Sequence, residues 1–217
     1  LVEGDVVALF MENNIRYHEI YWAVVRSGMY LCAVNKYLTA EEAAYIVNDS
    51  GAKALLTSVG VADVAKAMLT DLQDCPVRLV TDGPLDGYIA YEGEVAKHSS
   101  EPLDAEPLGD FMNYSSGTTG RPKGIKRPLS GNTFAAPSAL DALLGNLYGL
   151  NKDTVYLSPA PLYHSAPLAF TAGVHSLGGT IVVMDKFDPV EALRAIETHK
   201  ITHSQWVPTM FIRMLKL

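Results

Sequence analysis

The 217-residue sequence is poor in cysteine: it has two, Cys32 and Cys75. Neither has a second Cys or a His at metal-ligand spacing, which argues against a zinc module or a disulfide scaffold. Two buried free thiols in a reducing, cytoplasmic compartment are the expectation. Long apolar runs are also lacking. The longest, such as Val6–Met11 and Thr180–Met184, are far too short for a transmembrane segment. Basic blocks are missing: 17 Lys and Arg stand against 24 Asp and Glu, for a net charge of −7, so nucleic acid is not an expected partner. Glu3, Asp5 and Glu12 break up any apolar stretch that a secretory leader would need. No internal repeat or low-complexity tract occurs. Two common nucleotide-binding signatures are absent as well. There is no Gly-x-x-x-x-Gly-Lys-Ser/Thr and no Gly-x-Gly-x-x-Gly, so neither Walker nor Rossmann phosphate chemistry is encoded.

What is present is an ordinary globular composition, 48% hydrophobic and 19% charged, arranged in a repeating alternation. Asp5–Met11 predicts a buried strand and Asn14–Gly28 a helix, with Ile15, Ile20, Ala23, Val24 and Val25 on its apolar side. Tyr30–Val34 predicts the next strand. Thr39 then caps a helix, Glu42 completes a capping box, and Gly51 stops it. Ala54–Thr57, Val61–Leu72 and Val77–Thr81 read as strand, helix and strand. The stretch Asp82–Gly109 breaks the rhythm with three prolines and clustered small and acidic residues. It is expected to cross the surface with one short helix near Glu92–His98, and it marks a subdomain boundary between residues 1–108 and 109–217.

The alternation resumes with a strand at Asp110–Ser115, a Gly-rich loop and a return strand at Gly124–Pro128. Helices are expected at Asn132–Leu144 and Pro167–Leu177, and strands at Thr154–Ser158 and Thr180–Met184. Asp188 caps a helix to His199, with Glu191 completing a second capping box. Ile201–Val207 reads as a strand, and Pro208 opens a last helix. This order implies an α/β fold with mostly parallel sheets flanked by helices.

The loop carries the chemistry. It reads Tyr114-Ser115-Ser116-Gly117-Thr118-Thr119-Gly120-Arg121-Pro122-Lys123-Gly124. Glycines let backbone N–H groups approach an anion closely. Ser116, Thr118 and Thr119 offer hydroxyl donors, Lys123 a point charge, and Arg121 a second candidate charge. These are the needs of a polyphosphate. A solvated surface loop is the alternative that composition alone leaves.

The run Tyr114–Gly124 resembles the phosphate-loop signature of the adenylate-forming superfamily, which includes acyl-CoA synthetases, peptide-synthetase adenylation domains and beetle luciferases. Its one departure is Ser115, where the family usually has Thr, and the hydroxyl is kept. The similarity extends through Ala23–Gly28, Val34-Asn35, Leu38–Glu42 and Asn48–Lys53 before the loop. After it come Pro161–Ala166 and Thr202–Thr209. These blocks stand in family order and span almost the whole chain.

The resemblance implies an acid–thiol ligase. A small-molecule carboxylic acid, fatty or aryl, attacks the α-phosphate of ATP, and the acyl-adenylate passes its acyl group to coenzyme A, with Mg²⁺ assisting. It assigns Ser115, Ser116, Gly117, Thr118, Thr119, Gly120 and Lys123 to the ATP phosphates, and His164 to the border of the acyl pocket. His175, His199 and His203 have weaker claims, and Phe10, Tyr21 and Trp22 read as core. A peptide-synthetase-type adenylation domain and a non-catalytic nucleotide-binding or scaffolding module are the alternatives.

The family's Tyr-Gly-x-Thr-Glu segment, ribose-binding Asp, hinge and small C-terminal domain with the adenylation Lys do not occur here; Tyr148-Gly149 is followed by Leu150 and does not qualify. The sequence is therefore expected to be a segment of the large N-terminal domain, inactive alone, with self-association through exposed apolar surface. Carboxylate-dependent ATP–pyrophosphate exchange by the purified 217-residue chain is expected at background; exchange above background overturns that expectation.

Overall fold

A computed structural model describes residues 1–115 and 121–217, with only the backbone described at Ser115. The chain forms two compact units, Leu1–Glu12 with Arg16–Ala136, and Asn13–Ile15 with Pro137–Leu217.

The first unit is built on a sheet in which β1 (Val6–Phe10), β2 (Tyr30–Val34), β3 (Ala54–Ser58), β4 (Val77–Thr81), β5 (Ile89–Ala90) and β6 (Asp110–Ser115) run parallel. Strand β7 (Lys123–Ile125) closes one edge antiparallel to β6, giving the order β5-β4-β3-β1-β2-β6-β7. Every residue of β1 and of β3 is buried, as in strands covered on both faces; β1 is apolar throughout, and in β3 the Thr57 hydroxyl donates to the Phe10 carbonyl. Helices α1 (Arg16–Val25), α2 (Ala40–Asp49), α3 (Ala62–Ala67) and α4 (Tyr91–Val95) join them.

The Thr39–Glu42 capping box of α2 forms as the sequence implies, and the N–H of Thr39 lowers the Glu42 carboxyl below its ordinary range. The expected Val61–Leu72 helix is shorter. It consists of a 3₁₀ turn at Val59–Val61, then α3, then a second 3₁₀ turn at Met68–Thr70. Both cysteines are buried and free. Burial pushes the Cys32 thiol up to about 12 and the Cys75 thiol up to about 11, which keeps both protonated and inert. Residues up to Ala136 stand in this unit: β6 pairs with β2, from Tyr30↔Asp110 to Cys32↔Met112, and the N–H of Phe134 donates to the Glu106 carbonyl.

The second unit has a three-stranded parallel sheet, β10-β8-β9, from β8 (Val155–Ser158), β9 (Thr180–Val183) and β10 (His203–Ser204). Around it lie α5 (Ala139–Tyr148), α6 (Ser165–Ser176), α7 (Pro189–His199) and α8 (Pro208–Met214). Leu144, Leu150, Tyr156 and Val174 form a buried cluster between helices and sheet.

Asn13 staples the strand ends of this unit. Its amide donates to the carbonyls of Ala160 (2.9 Å) and Met184 (3.0 Å), and its Oδ1 accepts from the N–H of Leu162 (2.8 Å). Those carbonyls follow β8 and β9, so one buried amide satisfies main-chain groups that the ladder has just released.

Three expectations are corrected here. The helix expected at Asn132–Leu144 begins later, at Ala139, where the Ser138 hydroxyl accepts from the N–H of Asp141, and it ends at a left-handed Gly149. Residues before Pro137 are held elsewhere, with Leu108 donating to Asn132 and Pro107 bridging Thr133. The Ile201–Val207 strand shrinks to His203–Ser204, because Lys200 turns left-handed (φ 53°) and the N–H of Ile201 donates back to Ile196. At α7 the Asp188 carboxylate accepts from the N–H groups of Val190 and Glu191, but the Glu191 carboxylate pairs with Arg194 instead of completing a box. No helix among the described residues is long and apolar enough to cross a membrane.

Candidate functional site

The candidate site starts as a hairpin. Strands β6 and β7 pair antiparallel with Asn113↔Ile125, Tyr114↔Gly124 and Ser115↔Lys123 in register. The loop therefore leaves the carboxyl end of β6, the edge where open parallel sheets present ligands. Of the residues assigned to the ATP phosphates, Ser115 and Lys123 face each other across the stem. Ser116, Gly117, Thr118, Thr119 and Gly120 lie outside the described residues, as does the side chain of Ser115.

The stem is shaped by one glycine. A Cβ at Gly124 would collide with the Met112 methyl and come within 2.9 Å of the Tyr114 ring and its hydroxyl. Met112 and Tyr114, on one side of β6, pack with the core residues of α2, and the absence of a side chain at Gly124 lets the Tyr114 ring cross the return strand. The ring ends at α2, where its hydroxyl donates to Asp49 Oδ2 at 2.7 Å. Burial raises the Tyr114 phenol well above its ordinary range, and the hydrogen bond to Asp49 adds to this. The phenol is thus a donor at any physiological pH. Burial likewise holds the Tyr156 phenol high in the second unit.

The cations around the hairpin are not equivalent. The Arg121 guanidinium lies over the Tyr45 ring at 4.9 Å, and the Lys126 ammonium lies 4.5 Å from the centroid of Tyr30. Arg127 pairs with Asp110 at 3.4 Å and covers Phe111. Lys123 is exposed, and among the described residues neither a carboxylate nor a ring takes up its charge. Of the two loop cations noted in the sequence, Arg121 is therefore occupied and Lys123 is open toward solvent.

Tyr45 and Asp49 were not singled out in the sequence. A signal for them existed. They lie four positions apart on α2, on the side that also carries Glu41 and Asn48, and that side lines a surface cavity of about 380 Å³ with Arg121 at its rim. An Asp in the last turn of a helix without a basic neighbour there also opposes the helix dipole, which asks for a tertiary reason.

His164 stands in the second unit, at the residue before α6, with extended backbone and no side-chain capping bond. Its ring sits 4.3 Å from that of Tyr163, and partial burial lowers its pKa. His175 is in the last turn of α6 and is lowered by burial too, and His199 is in the last turn of α7. His203 is structural: Nε2 lies 3.0 Å from the Tyr148 carbonyl, and Nδ1 lies 2.8 Å from the Thr202 hydroxyl. Phe10 and Tyr21 are core residues, and Trp22 packs edge-on between Tyr21 and Phe134. Among the described residues no group of three or more His, Cys, Asp or Glu could hold a metal ion.

The chain is 32% identical over 217 residues to a 2-succinylbenzoate–CoA ligase of Bacillus pumilus (strain SAFR-032), an alignment covering 99% of the chain and 41% of that protein. It is 28% identical over 219 residues to 4-coumarate–CoA ligase 3 of Oryza sativa subsp. japonica, covering 99% of the chain and 39% of that protein. Both are longer proteins, and the chain spans about two fifths of the length of each. The fold is that of the amide bond synthetase McbA from Marinactinospora thermotolerans, with a TM-score of 0.83, 23% identity, and coverage of 100% of the chain and 42% of that structure. The model of the AMP-binding enzyme family matches residues 1–217, and the chain belongs to that family.

Proposed function

We propose that this chain supplies the phosphate-binding part of an ATP-dependent acyl-CoA synthetase acting on a fatty or aryl carboxylic acid. The observation that carries the reading is the family match across the whole chain. The similarity to relatives named as CoA ligases for aryl and for medium- and long-chain fatty acids supports the substrate class. In the reaction, a carboxylate oxygen attacks the α-phosphorus of ATP. An acyl–O–P bond forms, the bond to the β-phosphate oxygen breaks, and pyrophosphate leaves with the electron pair. The sulfur of coenzyme A then attacks the acyl carbon, and AMP leaves.

The role of this chain's own residues is to bind the leaving group. Ser115, Ser116, Gly117, Thr118, Thr119, Gly120 and Lys123 hold the β- and γ-phosphates, whose negative charge grows as the bond breaks. Donors and a cation fixed there stabilise the transition state more than the ground state. His164 borders the acyl group.

Ligand-linked melting tests the proposal. At ATP about 100 times its Kd, a binder gains about 2.7 kcal/mol. For a chain of this size that is a rise of roughly 5–10 °C in Tm. An unchanged Tm across the ATP series rejects the reading.

A further inference from the structure

Both legs of the hairpin stem are attached to the same side of one helix. On the outgoing leg, the Tyr114 hydroxyl donates to Asp49 at 2.7 Å. On the return leg, the Tyr45 hydroxyl donates to the Pro122 carbonyl at 3.2 Å, and the Arg121 guanidinium lies on the Tyr45 ring at 4.9 Å. Tyr45 and Asp49 both project from α2, itself fixed at its start by the Thr39–Glu42 capping box. Beneath them Ala43, Ala44, Ile46 and Val47 are buried in the core that also holds Met112. The stem is thus held against one capped, core-packed helix at two points.

We propose that Asp49 and Tyr45 are positioning residues for the phosphate loop, fixing its outgoing and return legs so that preference for a triphosphate over a monophosphate depends on them. This rests on the reading of the loop as the β- and γ-phosphate site. The physical need is clear. A loop that binds by several weak donors works only if their spacing is set before the ligand arrives, since ordering it on binding costs affinity. Residues four apart on α2 can set that spacing because the helix does not stretch. The placement of Asp49 agrees: an anion at a helix C-terminus is locally unfavourable, and the Tyr114 hydroxyl is the group that compensates it. Arg121, lying on the Tyr45 ring, adds to the hold on the return leg.

The test measures ATP and AMP affinity side by side, together with the ligand-free Tm, for the wild-type chain and for Asp49→Ala, Tyr114→Phe, the double variant, Asp49→Asn and Tyr45→Leu. Asp49→Ala, Tyr114→Phe and Tyr45→Leu are each expected to weaken ATP by about 3- to 10-fold, from the loss of one hydrogen bond or ring contact. AMP, which does not reach the β- and γ-positions, is expected to be unaffected. The double variant should lose no more than either Asp49→Ala or Tyr114→Phe, because one interaction is being removed. Asp49→Asn should keep ATP binding, since its Oδ1 still accepts from Tyr114.

Equal loss of ATP and AMP, additive losses at Asp49 and Tyr114, or unchanged ATP affinity in a wild type that binds ATP overturns the positioning role and leaves the phosphate-loop reading standing. A wild type that does not prefer ATP over AMP removes both. Should Asp49→Ala fail to fold, Tyr114→Phe against Asp49→Asn decides the point.

Discussion

Replacing Lys123 with Ala is expected to abolish most of the stabilisation by ATP. Lys123 opens the return strand directly opposite Ser115, at the carboxyl end of β6. Its neighbours in the stem are committed: Arg121 to Tyr45, Lys126 to Tyr30 and Arg127 to Asp110. No second cation in the stem is therefore placed to substitute for it. A hydrogen bond to a charged partner contributes about 1.5–3 kcal/mol, which corresponds to roughly 10- to 100-fold in Kd. At ATP about 100 times the wild-type Kd, a 100-fold loss leaves only about 0.4 kcal/mol of the original 2.7. The ligand-free Tm should barely move, because Lys123 is exposed. Lys123→Arg should recover part of the response at best, since a planar fork does not reproduce a compact ammonium. A Lys123→Ala chain whose Tm rises with ATP as the wild type does would remove this residue from the site.

The largest effect on stability is expected from Gly109→Ala. Gly109 immediately precedes β6, and its N–H donates to the Val25 carbonyl at 2.7 Å. An added Cβ would collide with the Met29 carbonyl oxygen and lie 2.9 Å from the Met29 nitrogen. These are main-chain atoms, so no side chain can swing aside. Met29 leads into β2, and the pairing of β2 with β6 begins at the next residues, Tyr30 and Asp110. The methyl must therefore force apart the two strands at the point where their ladder starts. Overpacking of this kind costs about 3 kcal/mol. For a chain of this size that lowers Tm by roughly 6–12 °C. Because β6 leads into the proposed phosphate loop, ATP affinity should fall with it. A Gly109→Ala chain that melts within a degree or so of the wild type would show that the strands have room to adjust.

Much of the local structure is legible in the sequence. The helix at Ala40–Asp49 was found from its capping pair, Thr39 and Glu42, because a cap is a bond between near neighbours and its grammar is written in adjacent residues. The buried strand β1 is legible as an unbroken apolar run. The structure departs from the local pattern where that pattern meets a longer-range demand. Residues from Asn132 look helical but are tied to Pro107 and Leu108, and the helix waits for Ser138. Ile201–Val207 has the composition of a strand, but most of it is consumed in leaving α7 and entering α8.

The sequence by itself determined the α/β alternation and the Thr39–Glu42 cap, because those depend on residues that are neighbours along the chain. The motif Tyr114–Gly124 is contiguous, so its resemblance to a phosphate loop is visible in the sequence alone. Only the tertiary structure decided what holds that loop. Tyr114 meets Asp49 across 65 positions, Tyr45 meets Pro122 across 77, and Asn13 reaches Ala160 across 147. No periodicity or spacing encodes such pairs. They exist because β6 adds beside β2 in the parallel sheet, and because strand ends leave main-chain groups that a distant side chain must satisfy.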